Sequence, residues 1–163
     1  MRNSNLDLAR IARVLAAHEV DYVVIGGLAI ILRGGQTSTE DVDISFSMHP
    51  DNFEKLADAL QELNARPKRW LTPNYRLRSS DFGTVWLHLE SDAGDIDLIT
   101  RTPGVSYQEL RDGSDPLPIE GFELCVASKS DLLRIKKEAT RDKDRWHVAE
   151  LERLIETEEG ESS

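Results

Sequence analysis

The sequence is poor in three features that would each define a class of protein. It has a single cysteine, Cys125, so no disulfide can form within the chain. Its longest nearly unbroken apolar run, Tyr22 to Leu32, is too short to cross a bilayer and contains two glycines. The first residues mix charged with apolar side chains, so no signal-peptide core is expected there. These absences predict a cytoplasmic protein without a membrane segment.

Positive charge is also scarce. Lys and Arg number 20 against 30 Asp and Glu, which gives a net charge of −10. Because phosphate binding depends on Lys and Arg, this balance argues against a protein that coats nucleic acid over its whole surface. The charge is unevenly distributed, since residues 66–80 contain only basic charged side chains. A locally basic face is compatible with this distribution.

The remaining composition is that of an ordinary globular protein. Hydrophobic residues make up 39% of the 163 residues and charged residues 31%. This length is typical of one domain with a substantial core. We expect a single domain over residues 1–157, followed by an acidic, frayed tail over residues 158–163.

Hydrophobic periodicity predicts alternating helices and strands. The expected helices cover residues 5–18, 28–32, 49–63, 131–139 and 142–156. The expected strands cover residues 21–25, 42–46, 84–90, 95–100 and 122–126. Ser4 or Asn5 is the expected cap of the first helix, and Ser128 or Ser130 that of the fourth. The sequence therefore predicts an α/β or α+β fold, with a mixed sheet flanked by helices and a C-terminal helical segment.

Two aspartates one residue apart occupy the strand "DVDISF". Side chains at i and i+2 lie on the same side of a strand, so Asp41 and Asp43 face one way while Val42 and Ile44 face the core. Two carboxylates held this close repel each other, and a divalent cation would offset the repulsion. Mg²⁺ prefers carboxylate oxygens and is commonly shared with substrate phosphates. The pair therefore predicts a magnesium site.

A third carboxylate is available in the later strand "GDIDLIT". We choose Asp97, because its apolar neighbours Ile96 and Leu98 place it inside the strand. Asp95 shares its face but adjoins a turn glycine, and is the second choice. Three carboxylates on neighbouring strands would complete a site for two metal ions.

A glycine pair precedes the aspartates. Gly26-Gly27 follows the first strand and opens a helix, where backbone N–H groups can bind phosphate and where a side chain would block close approach. The intervening residues Thr37, Ser38 and Thr39 add hydroxyl donors. These features favour nucleotide binding at the same site. The second pair, Gly34-Gly35, is expected to end the helix.

These motifs resemble the nucleotidyltransferase superfamily with the DNA polymerase β-like fold. The resemblance rests on "GG", on "DVD" thirteen residues later, and on the subsequent apolar-Asp-apolar strand. More narrowly, the chain resembles AbiEii and MenT-type toxins and related small bacterial nucleotidyltransferases. Such proteins often carry a C-terminal helix with Lys, Arg, Asp and Leu at the spacing found in Lys136, Arg141, Asp144 and Leu151.

The resemblance implies an activity and a set of site residues. The activity would be Mg²⁺-dependent transfer of a nucleoside monophosphate from an NTP to an acceptor hydroxyl, with RNA such as a tRNA 3′ end as the favoured acceptor. The expected catalytic and metal-binding residues are Asp41, Asp43 and Asp97. The expected nucleotide-binding residues are Gly26, Gly27, Thr39, Lys136 and Arg141. A toxin–antitoxin context would add a cognate toxin or antitoxin protein as partner.

Other functions stay open. The acceptor could be a protein or a small molecule, or the chain could be an inactive, antitoxin-like relative that acts by binding a partner. A D-x-D pair by itself is often a solvated strand edge, but its order and spacing with the glycines and Asp97 favour catalysis.

Several further residues also have ordinary structural interpretations. Lys136 could be part of a wet helix face, and Arg141 with Asp144 a surface ion pair. The segment "RPKRWLTPNYRLR" combines basic residues with Trp70 and Tyr75, which suits RNA, although a packed loop explains it as well. The four histidines show no metal-ligand spacing and receive no role.

Overall fold

A seven-stranded mixed sheet forms the centre of the structure, a computed structural model that describes residues 6–68, 75–83, 86–139 and 141–161. Its strands are β1 (Tyr22–Ile25), β2 (Asp41–Phe46), β3 (Arg66–Pro67), β4 (Leu87–Glu90), β5 (Asp95–Ile99), β6 (Asp115–Ile119) and β7 (Phe122–Val126). Their order across the sheet is β3-β4-β5-β2-β1-β7-β6. The central strands β1 and β2 therefore have neighbours on both sides.

Helices flank this sheet and close the core. They are α1 (Leu8–Ala17), α2 (Gly26–Leu32), α3 (Pro50–Glu62), α4 (Tyr107–Gly113), α5 (Lys129–Lys137) and α6 (Asp142–Glu161), with a 3₁₀ turn at Ser79–Asp81. Helix α5 packs against α6 and against α2. The mixed α/β fold with a C-terminal helical segment, expected from the sequence, is confirmed. Within the described residues, no helix is long and apolar enough to cross a membrane.

The register of the central strands determines where the aspartates lie. Strands β2 and β5 run parallel, with Asp41 opposite Asp95 and Asp43 opposite Asp97. Strands β1 and β2 run antiparallel, with Ile25 opposite Asp43. Val42 and Ile44 are fully buried, so the aspartates between them lie on the other face of β2. The end of β1, where α2 begins, is therefore next to Asp43.

Several boundaries differ from the expected ones. Asp7 caps α1 by accepting a hydrogen bond from the Arg10 amide, while Ser4 and Asn5 lie outside the described residues. Helix α2 begins directly at Gly26 instead of residue 28. Helix α6 continues to Glu161, so residues 158–161 are helical where a frayed tail was expected. For the expected 84–90 strand, residues 84–85 lie outside the described part, and β4 begins at Leu87.

Three elements were not predicted from the sequence, because the residue patterns that indicate a helix or a strand are weak in them. Strand β6 contains Pro116 and Pro118, which argue against a strand, yet β6 lies at the sheet edge where missing N–H donors are tolerated. Helix α4 and strand β3 are too short for a clear periodic pattern. Ser128 caps α5 by accepting from the Asp131 amide, in agreement with expectation. Gly34, with a φ of 96°, lies directly beyond α2.

Candidate active site

Asp43 and Asp97 form the centre of the candidate site. They are opposite each other in parallel register, close enough for the charge of Asp97 to act on Asp43. Burial, followed by the negative charges of Asp97 and Asp41, raises the pKa of Asp43 to about 7. Two neighbouring carboxyl groups that repel each other are stabilised by a shared proton or by a bound cation.

His88 contacts this pair from the neighbouring strand. Its Nδ1 lies 2.9 Å from Oδ1 of Asp97, because β4 and β5 are antiparallel and place the two residues opposite each other. The sequence analysis missed this contact. The signal was the turn Ser91–Gly94, since His88 and Asp97 lie at equal distances on either side of it.

The other two aspartates have different surroundings. The carboxylate of Asp95 accepts a 2.6 Å hydrogen bond from Nζ of Lys68, so a protein cation already neutralises it. Asp41 lies opposite Asp95, and burial followed by the charge of Asp97 raises its pKa. Between the two candidates for the third carboxylate, the structure therefore places Asp97, and not Asp95, against Asp43.

The glycine pair is required by the packing of the chain itself. Gly26 has a φ of 73°, and a Cβ there would overlap the carboxylate of Asp43. A Cβ at Gly27 would lie 3.3 Å from Cβ of Thr39. Thr39 in turn donates to the backbone carbonyl of Asp41 at 3.1 Å. The space left by each glycine is thus partly filled by protein atoms. The sequence analysis explained "GG" by phosphate binding alone, whereas packing within the chain is a second reason for it.

An ion cluster lies at the junction of α5 and α6, with the side chains of Asp144 and Lys136 largely buried and that of Arg141 exposed. Nζ of Lys136 donates to Asp144 at 3.0 Å, and Nε of Arg141 donates to the same carboxylate at 3.0 Å. The side chain of Asp144 is only 1% exposed and that of Lys136 11%. Burial alone would raise the pKa of Asp144, but hydrogen bonds from Arg141 and Lys136 lower it to about 2. Lys136 is therefore not on a wet helix face.

One cleft of about 540 Å³ joins these groups. Among the residues expected at the site, it is lined by Gly26, Asp43, Asp97, Lys136 and Arg141. The other three, Asp41, Gly27 and Thr39, do not line it. Thr39 instead contacts Asp41 and Gly27. It therefore helps to position these two residues but is not itself part of the cleft lining.

Helix α6 also holds the segment that leads into β2. Nε2 of His147 lies 3.0 Å from Oγ1 of Thr37, and Glu150 accepts a 2.9 Å hydrogen bond from the Gln36 amide. His147 is 2% exposed, and its Nδ1 has no hydrogen-bond partner within the described part of the chain. Burial, followed by the positive charges of Lys136 and Lys143, lowers the pKa of His147 to about 4. No sequence motif indicated this role, because Thr37 and His147 are distant in the chain.

The basic segment after α3 is partly engaged within the protein. Arg66 pairs with Glu90 at 2.7 Å, and Lys68 pairs with Asp95. Arg69 and Trp70, the central residues of that segment, lie outside the described residues. Arg76 and Arg78 are exposed.

The carboxylate pair fits a hard divalent cation by its chemistry. Oxygen ligands are those that Mg²⁺ prefers, and the Asp43–Asp97 pair carries a charge repulsion that a cation would remove. No group of three acidic, histidine or cysteine side chains in the described ranges forms a ready metal cage. Remaining ligands would then come from substrate phosphates and water, as is usual for Mg²⁺.

Comparisons with known proteins agree with this geometry. A family model described as aminoglycoside-2''-adenylyltransferase matches residues 7–151. No curated protein sequence matches the chain significantly. Several solved structures share its fold. ANT(2'')-Ia in complex with adenylyl-2''-tobramycin has a TM-score of 0.59 at 17% identity, covering 95% of this chain and 91% of its own.

The second structure is the lincosamide antibiotic adenylyltransferase LnuA with bound lincomycin. Its TM-score is 0.62 at 15% identity, covering 93% of this chain and 99% of its own. The nucleotidyltransferase fold expected from the sequence is confirmed by these likenesses. The narrower resemblance to AbiEii and MenT-type toxins receives no support from them.

Proposed function

The chain belongs to the aminoglycoside-2''-adenylyltransferase family, and we propose on this premise that it transfers a nucleoside monophosphate from an NTP to a hydroxyl group of a small molecule. In this reaction the acceptor oxygen forms a bond to the α-phosphorus. The bond from that phosphorus to the β-bridging oxygen breaks, and pyrophosphate leaves with the electron pair. The hydroxyl proton passes to a base.

The observation that carries the proposal is the shared cleft. It combines the Asp43–Asp97 pair, which would hold a cation, with Lys136 and Arg141, which would hold phosphates. Phosphoryl transfer is catalysed mainly by positioning and charge neutralisation, and this arrangement supplies both. A Ser-His or Cys-His nucleophile is not needed.

The carboxylates would have distinct roles. Asp43 and Asp97 would hold Mg²⁺, and Asp41 on the same face of β2 is the carboxylate available to a second ion. When bound, the metal supplies positive charge to the nucleotide phosphates. Asp97 would also orient the acceptor hydroxyl or take its proton, and His88 at 2.9 Å would hold that carboxylate in place.

Lys136, Arg141 and the start of α2 would bind the phosphates. Lys136 and Arg141 face the cleft while bonded to Asp144, which fixes the direction of their charges. Gly26 lines the same cleft and would contribute its backbone to phosphate binding. Gly27 and Thr39 would act indirectly, by keeping Asp41 and the start of β2 in position.

The direct test is transfer of label from each NTP carrying ³²P at the α-position. The full chain is incubated with Mg²⁺ and a panel of hydroxyl-bearing antibiotics, and products are separated by chromatography. We expect one antibiotic to become labelled with matching release of pyrophosphate, and no label with Asp43→Asn. The matched control is Asp58→Asn, the same substitution at an exposed residue of α3, and it should retain transfer. Equal labelling by wild type and Asp43→Asn would contradict the proposal.

RNA, the acceptor that the sequence analysis favoured, is here the second candidate. The exposed Arg76 and Arg78 favour it, because both extend a basic segment into solvent. Adding total RNA to the same assay separates the candidates, since label would then migrate with RNA and would depend on these two arginines. A cognate toxin or antitoxin protein would instead form a complex with the chain, and no label would be transferred to it.

A further inference from the structure

An apolar wall occupies one side of the cleft beside the aspartates. It consists of Trp86, Ile99, Pro103, Leu132 and Ile135. Trp86 is 56% exposed although it directly precedes β4, so its ring is available to a ligand. An exposed tryptophan ring beside other apolar side chains in a cleft is a typical contact surface for the apolar part of a ligand.

The charges around this wall are unsuited to a ligand with many positive charges. Asp144 is neutralised by Lys136 and Arg141, and Asp43 with Asp97 would be occupied by the metal. Arg101, which also lines the cleft, is exposed and forms no ion pair with any described residue. No described carboxylate of the cleft therefore remains to pair with ammonium groups.

Acidic residues near the cleft do not change this balance. Asp95 is paired with Lys68, and Asp41 lies outside the lining. The net charge of −10 attracts cations over the whole surface, but salt screens this attraction beyond about 10 Å. Recognition inside the cleft depends on the groups that touch the ligand.

We infer that the acceptor has an apolar face and at most one positive charge, in contrast to a polycationic aminoglycoside. This inference rests on the proposed function and names the substrate class of the same site. The apolar face of the acceptor packs on Trp86 and the side chains of α5. Arg101, which has no ion-pair partner among the described residues, repels ammonium groups and so selects against aminoglycosides in this member of the family.

Equilibrium binding tests the inference without requiring catalysis. Lincomycin carries one amine and an apolar chain, whereas tobramycin carries several amines. Each is titrated calorimetrically into the full chain at about 0.1 M salt, with saturating Mg²⁺ present so that Asp43 and Asp97 are occupied. We expect lincomycin to bind at least about tenfold more tightly. Trp86→Ala should weaken lincomycin binding by about fivefold or more, whereas Trp146→Ala on α6, a tryptophan outside the cleft, should leave it unchanged.

A charge reversal supplies the second measurement. Arg101→Glu should strengthen tobramycin binding by roughly fivefold or more and leave lincomycin within about twofold. Tighter binding of tobramycin to the wild type, binding of neither compound, or an unchanged lincomycin affinity in Trp86→Ala would each overturn the inference. Failure of the proposed function is distinguishable, because lincomycin would then bind as expected while no label is transferred. Label on tobramycin would support the function and overturn the acceptor class.

Discussion

Asp43 on β2 and Asp97 on β5 are opposite each other in parallel register, and burial together with the charge of Asp97 raises the pKa of Asp43. Each strand could satisfy its own backbone without either carboxylate, so sheet formation does not require the pair. Like charges brought together cost stability in the metal-free protein. A cation that binds between the two carboxylates would explain the arrangement.

Asp43→Asn is expected to separate metal binding from folding. Without Mg²⁺ the variant should melt at the same temperature as the wild type or a few degrees higher, because the repulsion is relieved. It should lose most of the stabilisation that Mg²⁺ with NTP adds, and it should not catalyse transfer. Thermal melts with and without Mg²⁺ and NTP measure this, with Asp58→Asn as control. A destabilised variant that keeps the full ligand-induced shift would remove Asp43 from the metal site.

Gly26→Ala is expected to displace the carboxylate of Asp43. The new Cβ would overlap that carboxylate, and the φ of 73° also disfavours alanine. We expect a loss of about 1–3 kcal/mol in the free energy of unfolding, measured in urea, and loss of transfer. Gly160→Ala is the control, since a Cβ there meets no atom within 4 Å.

A double mutant identifies the cause of that loss. In the background of Asp43→Ala, the side chain that would be struck is shortened, so Gly26→Ala should cost less than in the wild type. Additive free energies of unfolding would show that backbone strain alone is responsible. In that case the contact between Gly26 and Asp43 would not explain the glycine.

Asp144→Asn is expected to destabilise the junction of α5 and α6. The change leaves Lys136, which is largely buried, without its charge partner, and breaking such a pair costs about 3 kcal/mol. The matched control is Asp142→Asn, two residues away, where the carboxylate is exposed and its pair with Arg145 spans 3.9 Å. Urea unfolding of both variants at pH 7 gives the comparison. Equal, small effects would mean that Asp144 does not hold the cluster together.

His147 is expected to make stability depend on pH between about 4 and 6.5. Burial first, and then Lys136 and Lys143, lower its pKa from 6.5 to about 4 in the folded protein. In that window the unfolded chain binds a proton that the folded chain does not, so stability falls as pH falls. The loss is complete below about pH 4 and absent above about 6.5. A shift of this size corresponds to about 3 kcal/mol at most.

The measurement compares urea unfolding at pH 7 and pH 5 for the wild type and His147→Gln. The variant cannot titrate at this position, so its stability should fall less between the two pH values. His49→Gln, at a side chain that is 69% exposed, controls for the loss of a histidine. An equal pH response in the wild type and His147→Gln would contradict the assignment.

Local patterns were sufficient for much of the fold and for the core of the candidate site. The alternation in β2 placed Asp41 and Asp43 on one face, because side-chain direction in a strand has a period of two residues. The spacing of apolar residues located α1 and α3, since each needs a buried stripe. Cap and start residues located α5 and α6. The glycine pair was found by its position between a strand and a helix. None of these inferences needed contacts between distant segments.

Strand register and helix packing, which depend on such contacts, were decided only by the tertiary structure. Register placed Asp97 against Asp43 and gave Asp95 to Lys68, although both aspartates lie on the same face of β5. Packing of α6 against the residues before β2 brought His147 to Thr37, 110 positions apart in the chain. A one-dimensional pattern records which face a side chain occupies, but not which distant group it meets, because that depends on the free energy of the whole packed core.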